Sequence, residues 1–172
     1  AAMVADWVYR NIPPENVWFG VSVEYQERAD ERIPALIQIP ARTRWLSVEP
    51  LLGAVNLDAY LHSGPLAEMG VPPVPDVLRP PSLDWLVVGG ESGPGARDCD
   101  LGWIRDLVSQ GRTSGVPVFV KQLGSWPILE PGPISMETEH PKGGDPSEWP
   151  QDLRVRQFPV APGAAPTAGR HS

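Results

Sequence analysis

The chain has 172 residues, enough for one ordinary domain, and a formal net charge of −7, which gives neither the basic footprint of a nucleic-acid binder nor a polybasic membrane patch. Its one cysteine, Cys99, excludes an internal disulfide framework and any zinc or iron–sulfur site built on the chain's own cysteines. No apolar run is long enough to span a bilayer and no signal peptide is evident, so a cytoplasmic protein is expected. The three histidines, His62, His140 and His171, lie far apart in or near Pro/Gly-rich sequence, and no histidine metal cluster is expected.

Residues Ala1 to Arg10 place Met3, Val4, Trp7 and Val8 at helical spacing, and Pro13 and Pro14 stop that helix. Asn16 to Glu24 is β-branched and aromatic, as a strand should be. Tyr25 to Ile39 reads as a helix with Ala29, Ile33, Leu36 and Ile37 on one face; Pro34 inside it predicts a kink or a second short helix. Arg44 to Glu49 is the second strand, ended by Pro50. Asn56 to Met69 is weakly helical, and the proline-rich stretch 70–81 reads as an irregular insertion.

Trp85 to Gly90 is the third strand and opens into a glycine-rich loop, GGESGPGAR. Asp100 is a good N-cap for a helix carrying Leu101, Ile104, Leu107 and Val108 on one face, ended by Gly111 or Gly115. Val116 to Gln122 is the fourth strand. From Pro127 on, proline and glycine dominate; 145–158 can pack back through Trp149, Leu153, Val155 and Phe158, and the end is expected to be disordered. Strands separated by helical segments imply an α/β fold with parallel pairing through right-handed crossovers.

The polar residues repeat at one register. Successive strands end Ser22-Val23-Glu24, Ser47-Val48-Glu49, Gly89-Gly90-Glu91 and Val120-Lys121-Gln122. Residues two apart in a strand share a face, so Ser22 points with Glu24 and Ser47 with Glu49. Parallel α/β folds bring all strand C-termini to one edge. The candidate catalytic groups are therefore Glu24, Glu49, Glu91 and Lys121. The candidate ligand-binding groups around them are Ser22, Ser47, Gly89, Gly90, Ser92, Arg97 and Gln122. Three carboxylates that close repel one another and call for a positive partner: Lys121, Arg97, a metal ion or a cationic ligand. The loop Gly89–Gly95 matches neither the dinucleotide fingerprint nor a Walker loop, and Ser92 does not sit in a G-x-S-x-G elbow.

Four blocks, NVWFGVSVEYQERADERIPALIQIPARTRWLSVEPLLGAVNL, LDWLVVGGESGPGARDCD, VPVFVKQLGSW and KGGDPSEWPQDLRVRQFP, together resemble a phage-associated family, also found in bacteria, that is named after two mycobacteriophage gene products. Its fullest members look like radical S-adenosylmethionine proteins: a partial (βα) barrel with an N-terminal cysteine motif for a [4Fe–4S] cluster. The resemblance implies that residues 1–126 form part of such a barrel, with 127–172 as an extension, and that Glu24, Glu49, Glu91 and Lys121-Gln122 lie in its strand-end motifs. The cysteine motif is absent from this chain, which resembles the C-terminal half. S-adenosylmethionine and the cluster are implied by the family alone, with no cluster expected on this chain by itself and inactivity expected without an upstream segment or partner chain. Open sheet edges predict self-association. Two other readings stand beside this one: a metal-assisted hydrolase or transferase working through the strand-end carboxylates, and a non-catalytic protein that binds a small polar ligand or a partner.

Overall fold

The computed structural model describes residues 13–61, 82–129 and 134–159. The expected first helix, the proline-rich insertion and the C-terminal end lie outside them. Four strands form the main sheet: β1 (Trp18–Ser22), β2 (Thr43–Val48), β3 (Trp85–Gly89) and β5 (Val118–Gln122). They stand in chain order, β1-β2-β3-β5, and every neighbouring pair is parallel. The crossovers carry helices α1 (Gln26–Ile37) and α2 (Leu101–Ser114). The fold is thus mixed α/β with a parallel sheet, as the alternation of strand and helix patterns predicts.

One face of the sheet is the core. Leu46, Val48, Leu86, Val88, Val118 and Val120 alternate along the strands and are essentially inaccessible. Ala29, Ile33 and Leu36 of α1 and Leu101, Ile104 and Leu107 of α2 join them in one cluster. Gly111 is not a helix stop; it sits inside α2, where a Cβ would overlap Val118 and come within 2.9 Å of the Val116 carbonyl. Its missing side chain lets α2 lie close on the sheet, and the helix ends at Gly115, which takes φ +70°. Asp100 caps α2 by accepting from Gly102 N at 2.7 Å. α1 runs unbroken through Pro34, held on the sheet by Ile33 and Leu36.

Residues 56–61 form a turn, in which Leu61 N donates to the Leu57 carbonyl at 3.0 Å; the rest of the stretch expected to be weakly helical, 62–69, lies outside the described residues. Two side-chain amides satisfy the backbone that leads into the turn: Gln26 bonds Asn56 N and O, and Gln110 bonds Leu57 N and the Val55 carbonyl. Leu51, Val55, Leu57 and Leu61 are thereby buried without a helix.

A second sheet, invisible to hydrophobic periodicity, joins β4 (Cys99–Asp100), β6 (Pro127–Leu129) and β7 (Ile134–Ser135). Beyond it, two short 3-10 turns, Pro146–Glu148 and Gln151–Leu153, bury Trp149 and Leu153. The chain then runs along the outer edge of β5. Val120 N donates to the Val155 carbonyl at 2.8 Å and Gln157 N to the Val118 carbonyl at 2.9 Å. That edge, expected to be open, is sealed. Among the described residues β1 has a strand partner on one side only. No helix among them is long and apolar enough to cross a membrane.

Candidate functional site

The other face of the sheet carries no helix among the described residues, and its side chains fall into rows set by the register. Gly20, Trp45 and Trp85 form one row; Ser22, Ser47, Val87 and Phe119 form the next. Glu49, Gly89 and Lys121 follow at the strand ends. The face is aromatic near the strand starts and polar near their ends.

Trp85 is the hub of the aromatic half. Its ring centroid lies 5.8 Å from Trp18, 6.0 Å from Trp45, 6.2 Å from Phe119 and 5.3 Å from Phe158. Its Nε1–H donates to the Gln157 carbonyl at 2.9 Å. Trp18, Trp126 and Phe158 are exposed rather than packed in the core.

At the polar end each of the three candidate carboxylates has its own cation. Lys121 Nζ donates to both Glu49 oxygens, at 2.9 and 3.1 Å. This pair reaches across β3 because Gly89 stands between: a Cβ there would lie 3.1 Å from the Gln122 carbonyl and 3.5 Å from Glu49 Cδ. Arg32 of α1 donates to both Glu24 oxygens at 3.3 Å and to the Ser22 carbonyl at 2.6 Å. Arg97 donates to Glu91 from its side chain at 2.7 and 2.8 Å and from its backbone N–H at 2.9 Å. In every pair the carboxylate is the more buried partner: 16% of the Glu49 side chain is accessible against 53% for Lys121, and 27% for Glu91 against 60% for Arg97.

These pairs set the chemistry. The side-chain and backbone hydrogen bonds from Arg97 hold the Glu91 carboxyl at about 2, well below its ordinary value. Glu91 stays ionised at neutral pH and clamps the loop in which Gly93 and Gly95 take φ +104° and +76°. The same loop is tied down by Ser125, whose hydroxyl accepts from Gly93 N and whose N–H donates to the Glu91 carbonyl. Gln122 is buried and donates to the Gly90 carbonyl at 2.9 Å, and a Cβ on Gly90 would overlap the Leu123 carbonyl; both hold the strand ends together. Ser92 is half-buried beside this loop.

The sequence-derived candidates thus separate. Ser22, Ser47, Glu49, Gly89 and Lys121 share the open face. Glu24 is drawn to Arg32 at the helix side, and Glu91 with Arg97 forms its own loop clamp. Arg32 as the partner of Glu24 and the pairing of Gly20 with Trp45 are not among the features read from the sequence. A glycine in mid-strand is the signal that could have found the second. The hydroxyls of Ser22 and Ser47 and the Trp45 Nε1–H make no hydrogen bond among the described residues.

A [4Fe–4S] cluster needs three thiolate ligands from the protein, with the fourth iron left for S-adenosylmethionine. This chain offers Cys99, which is fully buried, and burial pushes its thiol up to about 12. The residues present do not fit the cluster. Among the described residues no group of three His, Cys, Asp or Glu is placed to hold a metal ion.

The family model described as "Protein of unknown function (DUF5131)" matches residues 1–155, and the chain belongs to that family. No curated protein and no solved structure matches it.

Proposed function

We propose that this member of the family is the ligand-binding C-terminal part of a radical-SAM-like partial (βα) barrel of phage-associated descent. The observation that carries the reading is the arrangement of the sheet. Four parallel strands stand in chain order with both described helices on one face, and the opposite face is left to side chains that converge at the strand ends. Strands wound in one direction curve toward a barrel whose interior is that second face, and such barrels bind ligands at the C-terminal ends of their strands.

On this reading Ser22, Ser47, Glu49 and Lys121 hold a small polar ligand. The cluster and its S-adenosylmethionine belong to an upstream segment or a partner chain that docks along β1. Without it the chain binds but does not turn over, and association through β1 follows. Internal ion pairing keeps the mouth near neutrality, which favours an uncharged ligand over a highly charged one.

Thermal unfolding of the chain against a panel of uncharged polar metabolites tests the reading. A ligand-dependent rise in Tm is expected, and it should disappear in the Ser47→Ala/Glu49→Gln double variant. A panel without any such rise sinks it. Anaerobic iron–sulfur reconstitution should give no cluster absorbance on this chain; a stoichiometric band would overturn the placement of the cluster elsewhere.

A further inference from the structure

The turn 140–144 is folded around one imidazole. His140 Nδ1 accepts from Lys142 N at 3.2 Å and from Gly144 N at 3.1 Å, and the His140 carbonyl accepts from Gly143 N at 2.7 Å. The ring lies against Gly144, where a Cβ would come within 2.9 Å of Cε1. An imidazole nitrogen accepts only when it carries no proton, so this turn requires the neutral ring with its hydrogen on Nε2. Protonation puts an N–H on Nδ1, where two other N–H groups already point, and the turn loses its acceptor.

The same turn is joined to the glycine-rich loop that leaves β3. Its Gly143 and Lys142 carbonyls accept from Leu123 N at 2.9 Å and Gly124 N at 3.2 Å, directly after β5. Gly143 takes φ +56°, and a Cβ on it would lie 2.5 Å from the Gly124 carbonyl, so the two backbones pack with no side chain between them. The Pro141 carbonyl accepts from the Ser125 hydroxyl at 2.8 Å. Ser125 then accepts from Gly93 N at 3.1 Å and donates its own N–H to the Glu91 carbonyl at 2.8 Å.

The charges around the ring favour its release once it is protonated. Asp145 accepts from Ser147 N, which holds its carboxyl below the ordinary value, and it feels the charge of His140. Glu148 accepts from Glu139 N at 3.2 Å and His140 N at 3.3 Å. The cations are Lys142, exposed in the turn, and Arg154, which donates to the Ser147 and Trp149 carbonyls and faces Asp145. On the β5 side the turn meets Leu123, Gly124 and Ser125, which carry no charge. The Glu91 carboxyl, held at about 2, stays ionised throughout the range in which histidine titrates, so the Arg97 clamp does not itself respond there.

We infer that His140 is a pH-sensitive latch on the Glu91–Arg97 loop. Neutral, it folds the turn that holds Ser125 against the loop; protonated, it gives up Lys142 N and Gly144 N, turns toward the carboxylates, and frees Ser125 and the loop with it. The latch does not depend on the open face of the sheet being a ligand site.

The test is an NMR titration of the full chain from about pH 8 to about pH 5, the span in which histidine ordinarily changes charge. The amides of Gly93, Gly124, Ser125 and Gly144 should shift with the same midpoint as the His140 ring protons. Exchange protection at Leu123 and Gly124 should fall by about tenfold across that span, the effect of losing two ordinary hydrogen bonds. His140→Asn supplies a side-chain oxygen that accepts but does not titrate; it should keep the high-pH spectrum and abolish the response. His140→Ala should give the low-pH amide positions at every pH. Shifts at Gly93 and Ser125 that persist in His140→Asn assign the response to another group, and a ring titration that leaves those amides unmoved confines the histidine to its own turn. Either result overturns the latch.

Discussion

The two faces of the sheet are made by the same strands, residue by alternate residue, yet they do opposite things. Val48 and Val88 on one face are sealed under α1 and α2. Ser47 and Glu49, which flank Val48 in sequence, stand on the other with a lysine reaching over from β5. The period of two separates what holds the fold from what is free to act. Side chains on the helix face have no alternative partners. Several on the open face have spare hydrogen-bonding capacity, and their ion pairs are only partly shielded.

That contrast is breakable by substitution. The largest effect should come from the helix face: Leu86→Ala removes a fully buried side chain beneath α2 and should cost about 2–5 kcal/mol in urea denaturation. Gly89→Ala lies on the open face but is sterically closed, with a Cβ 3.1 Å from the Gln122 carbonyl. It should cost about 1–3 kcal/mol and part Lys121 from Glu49. If Gly89→Ala proves neutral, the crossing of that pair over β3 does not depend on the glycine.

The Glu91 clamp makes a pH-dependent contribution. Its folded carboxyl is held at about 2 against an ordinary 4.5, so the stabilisation is complete above about 4.5 and is lost as pH falls through about 2. Denaturation at stepped pH should show the difference between the chain and its Glu91→Gln variant shrinking across that window. A constant difference would mean that Arg97 does not bind the ionised form selectively. Smallest of all, Ser47→Ala should change stability by no more than about 0.5 kcal/mol, since its hydroxyl makes no hydrogen bond among the described residues. A larger loss would mark Ser47 as structural and blur the division between the faces.

The helix face was legible in the sequence because its signals are local. Apolar alternation marks β1, β2, β3 and β5 within a few residues, and Asp100 announces α2. The register of Ser22, Ser47, Glu49 and Lys121 was legible for the same reason. Their pairing was not. Lys121 meets Glu49 at a separation of 72 residues, and no local pattern says which cation will neutralise which carboxylate. Three carboxylates expected to share one compensating charge turn out to have one each. The small sheet of β4, β6 and β7 went unread because two- and three-residue strands carry no period. The bonds that Gln26 and Gln110 make to residues 55–57 could not be read from the sequence, because both glutamines lie far from that turn in the chain.

The strap along β5 has a consequence for assembly. Val155 and Gln157 occupy the hydrogen-bonding groups that another strand would need, and Arg156 adds a guanidinium over Phe119 at 5.0 Å. A second copy of the chain that joins edge-to-edge at β1 presents its own blocked β5 at the far side. Addition through the four-stranded sheet then terminates after one step: a closed pair can form, but among the described residues that sheet offers no second open edge from which a repeating stack could grow.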